Sequence, residues 1–185
     1  MDTIPVIPRN EVYATFCSGI DQSSVQRIMQ SVAHGMQNNV THLHLLFKSN
    51  GGEVPDDLCL STSFKTCPLP ITLYNAGAVQ SIGAIAYLGA KNRIAHKNSV
   101  FMIHRTTGPA IAVGTNRMQS ITKAISLDDL RTEEILKQYS EKASSEWANL
   151  RDNEFWLNGE DAVKHGLATE LGEFAPPLGT RIYNI

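Results

Sequence analysis

Over the first hundred residues, short apolar runs alternate with segments of helical periodicity, and this alternation restricts the chain to few architectures. Val12–Cys17 reads as a strand. Gly19-Ile20-Asp21 turns the chain into a helix over Gln22–Gln37, where Val25, Ile28, Met29, Val32 and Met36 keep the three-and-four spacing of one face. Asp21 or Ser23 suits its N-cap. Val40–Phe47 is β-rich and apolar enough for a buried strand, and it ends in the turn signal Lys48-Ser49-Asn50-Gly51-Gly52. A shorter helix follows from about Pro55 to Phe64, closed by Pro68 and Pro70. Ile71–Asn75 is a strand, Ala76–Gln80 a loop, Ser81–Leu88 a buried small-residue helix, and Arg93–His96 and Val100–Ile103 short strands. The order β-α-β-α-β-β predicts an α/β fold with a largely parallel sheet and helices on its faces.

Beyond His104 the character changes. Thr106–Gly114 is uncharged. Asn116–Leu150 contains neither proline nor glycine and reads as one long helix, with apolar stripes at Met118, Ile121 and Ile125 and again at Ile135, Leu136 and Tyr139. A helix of that length overruns a small sheet, so part of it should project and meet a second subunit. A short helix near Gly159–His165 and a last strand at Arg181–Ile185 complete the reading. Met1–Arg9 is a loose leader, and residues 1–185 make one domain.

The 185 residues are 42% hydrophobic and 18% charged, with a net charge of −2. That suffices for a real core and argues against disorder. It gives no electrostatic reason for nucleic acid as a partner. The longest apolar stretch, Ile82–Ala90, is broken by glycine and falls short of the roughly 20 residues of a membrane span. No signal-peptide pattern opens the chain. Cys17, Cys59 and Cys67 lack metal-ligand spacing and read as free thiols of a reducing compartment. The expectation is a soluble cytoplasmic protein.

Four places are candidates for chemistry. Ser49-Asn50-Gly51-Gly52 ends a strand of a parallel sheet, where ligands bind, and paired glycines let backbone N–H groups approach a ligand. Ser81 stands at a strand-loop-helix junction, where a hydroxyl feels the helix dipole and the N–H of Ile82 can hold an oxyanion. The alternative for Ser81 is a plain N-cap, and Val79 occupies one of the two places that a nucleophile elbow gives to glycine. His104 ends an apolar strand 23 residues after Ser81 and can serve as the base a serine hydroxyl needs. Asp152 and Glu154 precede Phe155-Trp156 and can supply the acid that orients the imidazole; a solvated acidic turn is the other reading. His42 and His44 share one strand face without a carboxylate or thiol in sequence, a weak metal pair. Asp56-Asp57 and Asp128-Asp129 look like solvated helix positions.

Taken in order, Ser49-Asn50-Gly51-Gly52, Gln80-Ser81-Ile82-Gly83-Ala84, Met102-Ile103-His104 and Phe155-Trp156-Leu157-Asn158…Gly166-Leu167 resemble the proteolytic subunit of the caseinolytic (Clp) protease family, over roughly Val12 to Leu171. The resemblance implies a crotonase-like fold of stacked β-β-α units and a serine endopeptidase acting on peptides or unfolded proteins inside an oligomeric chamber of stacked seven-membered rings. It implies Ser81 as nucleophile, His104 as base, and the Gly52 and Ile82 N–H groups as oxyanion hole. It further implies a handle at 106–150 (a substrate-binding strand, then the long helix), a possible AAA+ unfoldase partner, and no cofactor or metal. Asn50 and Ile82 replace the family's usual proline and methionine. Ungapped alignment back from Gly166-Leu167 puts Glu154 at the place of the triad aspartate, with Asp152 the alternative. Only about eleven residues precede Val12, so the N-terminal stretch that forms the family's axial gate is expected to be nearly absent. Two other functions fit the same residues: a catalytically impaired subunit, favoured by the altered acid, and an acyl-CoA enzyme of the crotonase type, disfavoured by serine with histidine.

Overall fold

The computed structural model describes residues 10–108, 112–150 and 154–185, and of residues 141 and 142 only the backbone. In chain order the elements are β1 (Glu11–Cys17), α1 (Gln22–Gln37), β2 (His42–Lys48), α2 (Val54–Thr66), β3 (Ile71–Asn75), β4 (Ala78–Gln80), α3 (Gly83–Leu88), β5 (Asn92–Ala95), β6 (Val100–Ile103), α4 (Thr115–Tyr139), α5 (Glu141–Asn149), β7 (Phe155–Asn158), α6 (Gly159–Lys164), β8 (Glu170–Leu171) and β9 (Ile182–Asn184). Six strands form a parallel sheet in the order β8-β5-β3-β2-β1-β9. A second sheet, β4-β6-β7, is parallel between its first two strands and antiparallel between the last two.

Local sequence explains most boundaries. Asp21 caps α1 through a reciprocal pair: its carboxylate accepts from Ser24 N–H, and its own N–H donates to Ser24 Oγ, both at 2.8 Å. One face of α1 then buries Val25, Ile28 and Val32 on the sheet. β2 alternates, sending Leu43, Leu45 and Phe47 into the core. His42 and His44 take the opposite face, their rings stacked at 4.3 Å and bonded to Thr72 Oγ1 and the Tyr74 hydroxyl. α3 is buried along its whole length. All three cysteines are free. No helix among the described residues is long and apolar enough to cross a membrane.

The structure departs from the sequence reading at several elements. Ala78–Gln80, expected as loop, pairs in parallel with β6, because tertiary pairing gives three residues a ladder that they cannot signal alone. Phe155–Asn158 is likewise a strand, β7, antiparallel to β6. The long helix is two. Ser140 is extended (φ −163°, ψ 117°), donates its N–H to Leu136 O and caps α5 by accepting from Ala143 N–H at 3.0 Å. A serine that competes for backbone N–H groups breaks a helix without glycine or proline. The break returns Ala143 and Trp147, each 1% exposed, to the core. A straight continuation, rising about 1.5 Å per residue, would carry them away from it. Along α4 only Thr132 and Leu136 are buried, and Met118, Leu127 and Leu130 stay exposed.

Asp57 is not the solvated position its sequence suggested. It is 0% exposed, and neither carboxylate oxygen has a hydrogen-bond partner among the described residues. Burial, reinforced by the charge of Asp56, pushes its carboxyl up to about 8. Between the ordinary value of 3.8 and about 8 the folded chain keeps this proton while the unfolded chain has lost it. Stability therefore falls as pH rises through that window and levels off above it. The accumulated loss is on the order of 5 kcal/mol at about 1.4 kcal/mol per pH unit. Asp57→Asn, which has no proton to lose, is expected to flatten the decline. Urea unfolding of both proteins at pH 5, 6.5 and 8 checks this; parallel curves would refute it.

Candidate active site

The site is built where the ends of β2, β4 and β6 meet. Ser49 and the β4 strand lace together: Ser49 N–H donates to Ala78 O at 3.1 Å, and Gln80 N–H to Ser49 O at 2.8 Å. Ser49 Oγ turns back to accept from Gly51 N–H at 3.1 Å. On its other side the glycine pair is tied to Ile20, whose N–H donates to Gly51 O and whose carbonyl accepts from Glu53 N–H, both at 3.0 Å. Gly51 has φ +89°, and a Cβ there would sit 2.6 Å from Ser81 Cβ; a Cβ on Gly52 would overlap the Ile20 carbonyl. Both glycines are thus required by backbone geometry, which is the close approach that the sequence suggested.

Ser81 follows β4 directly and precedes α3. Its φ of +55° lies in the left-handed region, an unusual place for a non-glycine residue. Its N–H is held by Met102 O at 2.7 Å. Such strain, on the order of 1–2 kcal/mol, persists only where surrounding bonds impose it. Ser81 is not an N-cap: its hydroxyl instead meets His104 Nε2 at 2.8 Å. The junction has the geometry of a nucleophile elbow without its glycine pattern.

His104 leaves the end of β6. Its Nδ1 lies 2.6 Å from the carbonyl oxygen of Arg105. A carbonyl only accepts, so Nδ1 carries the hydrogen and Nε2 presents a lone pair to the Ser81 hydroxyl. That is the tautomer a general base needs.

Arg105, which the sequence reading passed over, fixes this segment. Its guanidinium donates to Leu150 O at 2.9 Å and Trp147 O at 3.1 Å, at the C-terminus of α5, and pairs with Asp129 at 3.3 Å. Asp129 also accepts from Thr106 N–H at 2.9 Å. Asp129 is therefore a tether between α4 and the residues after His104, not the solvated position expected. The only signal in the sequence was Arg105's place next to the histidine.

The acid is placed differently from its partners. Phe155 faces Ile103 in the β6–β7 register, which sets Glu154 one step beyond, at the level of His104. Its carboxylate, however, accepts from Trp156 Nε1 at 2.8 Å, the residue two along on the same strand face. Among the described residues His104 meets Ser81 and Arg105, not Glu154. Asp152 lies outside the described residues, as does the middle of the expected substrate strand, 109–111.

A cavity of about 70 Å³ lies against Ser81, His104, Gly52 and Ile82. Neither the Gly52 nor the Ile82 N–H has an acceptor among the described residues. The site thus brings together a hydroxyl, an imidazole of the right tautomer, and two uncommitted backbone donors.

Known proteins resemble this chain in sequence and in fold. A family model described as Clp protease matches residues 9–174. The chain is 24% identical over 159 residues to the ATP-dependent Clp protease proteolytic subunit 2 of Pseudomonas aeruginosa, spanning 83% of this chain and 77% of that one. It is 25% identical over 138 residues to the ATP-dependent Clp protease proteolytic subunit 1 of Rhodopirellula baltica, spanning 73% of this chain and 60% of that one. The fold is similar to that of a ClpP1 point mutant from Listeria monocytogenes, with a TM-score of 0.76 and 20% identity over 89% of this chain and 92% of that one.

Proposed function

Because this chain belongs to the Clp protease family, a family of serine peptidases, we propose that it hydrolyses peptides or unfolded proteins by acyl transfer through Ser81 and His104. The contact between Ser81 Oγ and His104 Nε2 carries the reading. Nε2 takes the hydroxyl proton as the Ser81 oxygen attacks the peptide carbonyl carbon. The Gly52 and Ile82 N–H groups receive the oxyanion, a contribution of roughly a hundredfold or more in rate per donor. The protonated imidazole then gives its proton to the leaving amine, and water releases the acyl group by the same steps in reverse. In this reading substrate lies as an extended strand along the segment beginning at Thr106, where backbone groups bind with little side-chain selectivity. The exposed apolar side chains of α4 support assembly into rings, with an AAA+ unfoldase as candidate partner. The decisive experiment is labelling of the intact protein by a fluorophosphonate. A single adduct mapped to Ser81 is expected, and a well-folded protein that takes up none would make the chain an impaired subunit.

The third triad position is assigned to Glu154, which reaches His104 Nδ1 by giving up Trp156. Glu154→Gln is then expected to lower kcat by at least about a hundredfold, because an amide can offer its N–H to Nδ1 and favour the wrong tautomer. The contact between Nδ1 and the Arg105 carbonyl favours a second reading, in which the backbone alone orients the ring. A loss under about threefold in Glu154→Gln would select it.

A further inference from the structure

One peptide unit, the one that joins Arg105 to Thr106, touches both His104 and a buried-side carboxylate of α4. Its carbonyl oxygen lies 2.6 Å from His104 Nδ1, and its N–H donates to Asp129 Oδ1 at 2.9 Å. A trans peptide is planar and points its C=O and N–H in opposite directions, so a grip on the N–H fixes where the C=O aims. Neither Arg105 nor Thr106 has a backbone-to-backbone hydrogen bond among the described residues, so no strand ladder sets this plane. Side chains set it instead. Asp129, with 16% of its side chain exposed, holds one edge, and its other oxygen, Oδ2, pairs with the Arg105 guanidinium at 3.3 Å. That guanidinium lies over the Trp147 ring, 5.2 Å from its centroid, and donates to the Trp147 and Leu150 carbonyls at the end of α5. The carboxylate is thus locked from one side by a fixed cation while it holds the backbone beside the imidazole with the other.

We infer that Asp129 is a positioning residue for His104 and acts through the 105–106 peptide. The carboxylate holds the Thr106 N–H, the peptide aims the Arg105 carbonyl, and the carbonyl keeps the imidazole hydrogen on Nδ1. The inference rests on the peptidase reading above for what the imidazole does. It deepens the arrangement in which the backbone orients the ring, because it names what orients the backbone. Hydrogen bonds in such a chain polarise one another, so an anionic acceptor on the N–H makes the C=O a stronger acceptor for Nδ1–H. Without Asp129 the peptide can turn about its flanking bonds, and Nδ1 loses its acceptor. The ring then gains nothing from keeping its hydrogen on Nδ1, and a hydrogen on Nε2 leaves no lone pair for the Ser81 hydroxyl. Glu154, bonded to Trp156 Nε1, does not hold Nδ1 in this arrangement.

The test compares the full-length protein with Asp129→Leu, Asp129→Asn and Asp128→Asn; Asp129→Ala takes the place of Asp129→Leu if the latter does not fold. Asparagine keeps an oxygen for the Thr106 N–H and leucine keeps none. Asp128, which pairs with Arg131, is the control for a charge lost from the same turn of α4. The first readout is the rate at which a fluorophosphonate modifies Ser81, which needs the base but no contacts along a peptide. That rate is expected to fall about tenfold to a hundredfold in Asp129→Leu and by under about threefold in Asp129→Asn. Asp128→Asn should leave it unchanged. The second readout is the nitrogen NMR spectrum of isotope-labelled histidine rings at about pH 8, where imidazoles are neutral, with His104→Gln to assign the signal. The parent is expected to carry its hydrogen on Nδ1, and Asp129→Leu to carry it on Nε2 or in exchange between the two. A tether that serves stability alone would lower the melting temperature of Asp129→Leu and leave both readouts where they were, and that result overturns the inference. So does an Asp129→Asn variant as slow as Asp129→Leu, since the acceptor for Thr106 N–H would then not be what matters. If the parent takes no label, the hydrolase reading falls, and the NMR comparison still decides: a tautomer lost in Asp129→Leu upholds the positioning role, and an unchanged signal overturns it.

Discussion

Ser81→Ala is expected to lower kcat for peptide hydrolysis by on the order of 10⁴- to 10⁶-fold and to abolish fluorophosphonate labelling, with KM nearly unchanged. The size follows from what one oxygen does in this arrangement. In the proposed reaction it is the attacking atom, and in the structure it meets His104 Nε2 at 2.8 Å. Without it, water must attack, helped only by the oxyanion donors and by substrate positioning. Alanine also has no bond to lose elsewhere, since the hydroxyl meets only the imidazole among the described residues and the Ser81 N–H stays on Met102 O. Thermal stability should therefore remain close to the parent. An alanine variant that retains more than about a tenth of the parent kcat would remove Ser81 from the chemistry.

The second large effect is expected at a residue without a side chain. In Gly51→Ala the added Cβ would lie 2.6 Å from Ser81 Cβ and 3.0 Å from Gln80 O, on a backbone with φ +89°. Relief moves either Ser81 or the 49–52 turn that presents the Gly52 N–H. A displacement of about 1 Å at a catalytic group costs on the order of a hundredfold, so kcat should fall at least that far. The left-handed strain should also lower stability by roughly 1–3 kcal/mol. Gly77→Ala is the control: a Cβ there meets nothing within 4 Å, so activity should hold. Single-turnover kinetics on both variants, with urea unfolding alongside, tests the pair. Equal activity in Gly51→Ala and Gly77→Ala would mean that the glycine turn does not hold the reacting groups in place.

Ser81, His104 and the glycine pair were legible in the sequence because each sits at an element end that the local pattern marks. Those ends are where an α/β sheet gathers its ligand-binding groups. The acid was less legible. Strand periodicity can put Glu154 level with His104 but cannot decide whether a flexible carboxylate turns to the imidazole or to Trp156 two residues on. Asp57 and Asp129 were misread for a related reason. Each is one of an acidic pair on a helix, and only packing of neighbouring elements shows that Asp57 is buried without hydrogen-bond partners among the described residues and that Asp129 holds Thr106 and Arg105.

By itself the sequence determined the parallel α/β layering, the capped α1 and the order of the candidate site residues, since hydrophobic period, capping and turn chemistry act within a few residues. Tertiary structure alone decided the pairing of the three-residue β4, the break at Ser140 and the tautomer of His104. It alone also brought Asp129 to the Thr106 N–H. These depend on contacts between segments far apart in the chain, whose free energy appears only once the chain has closed on itself.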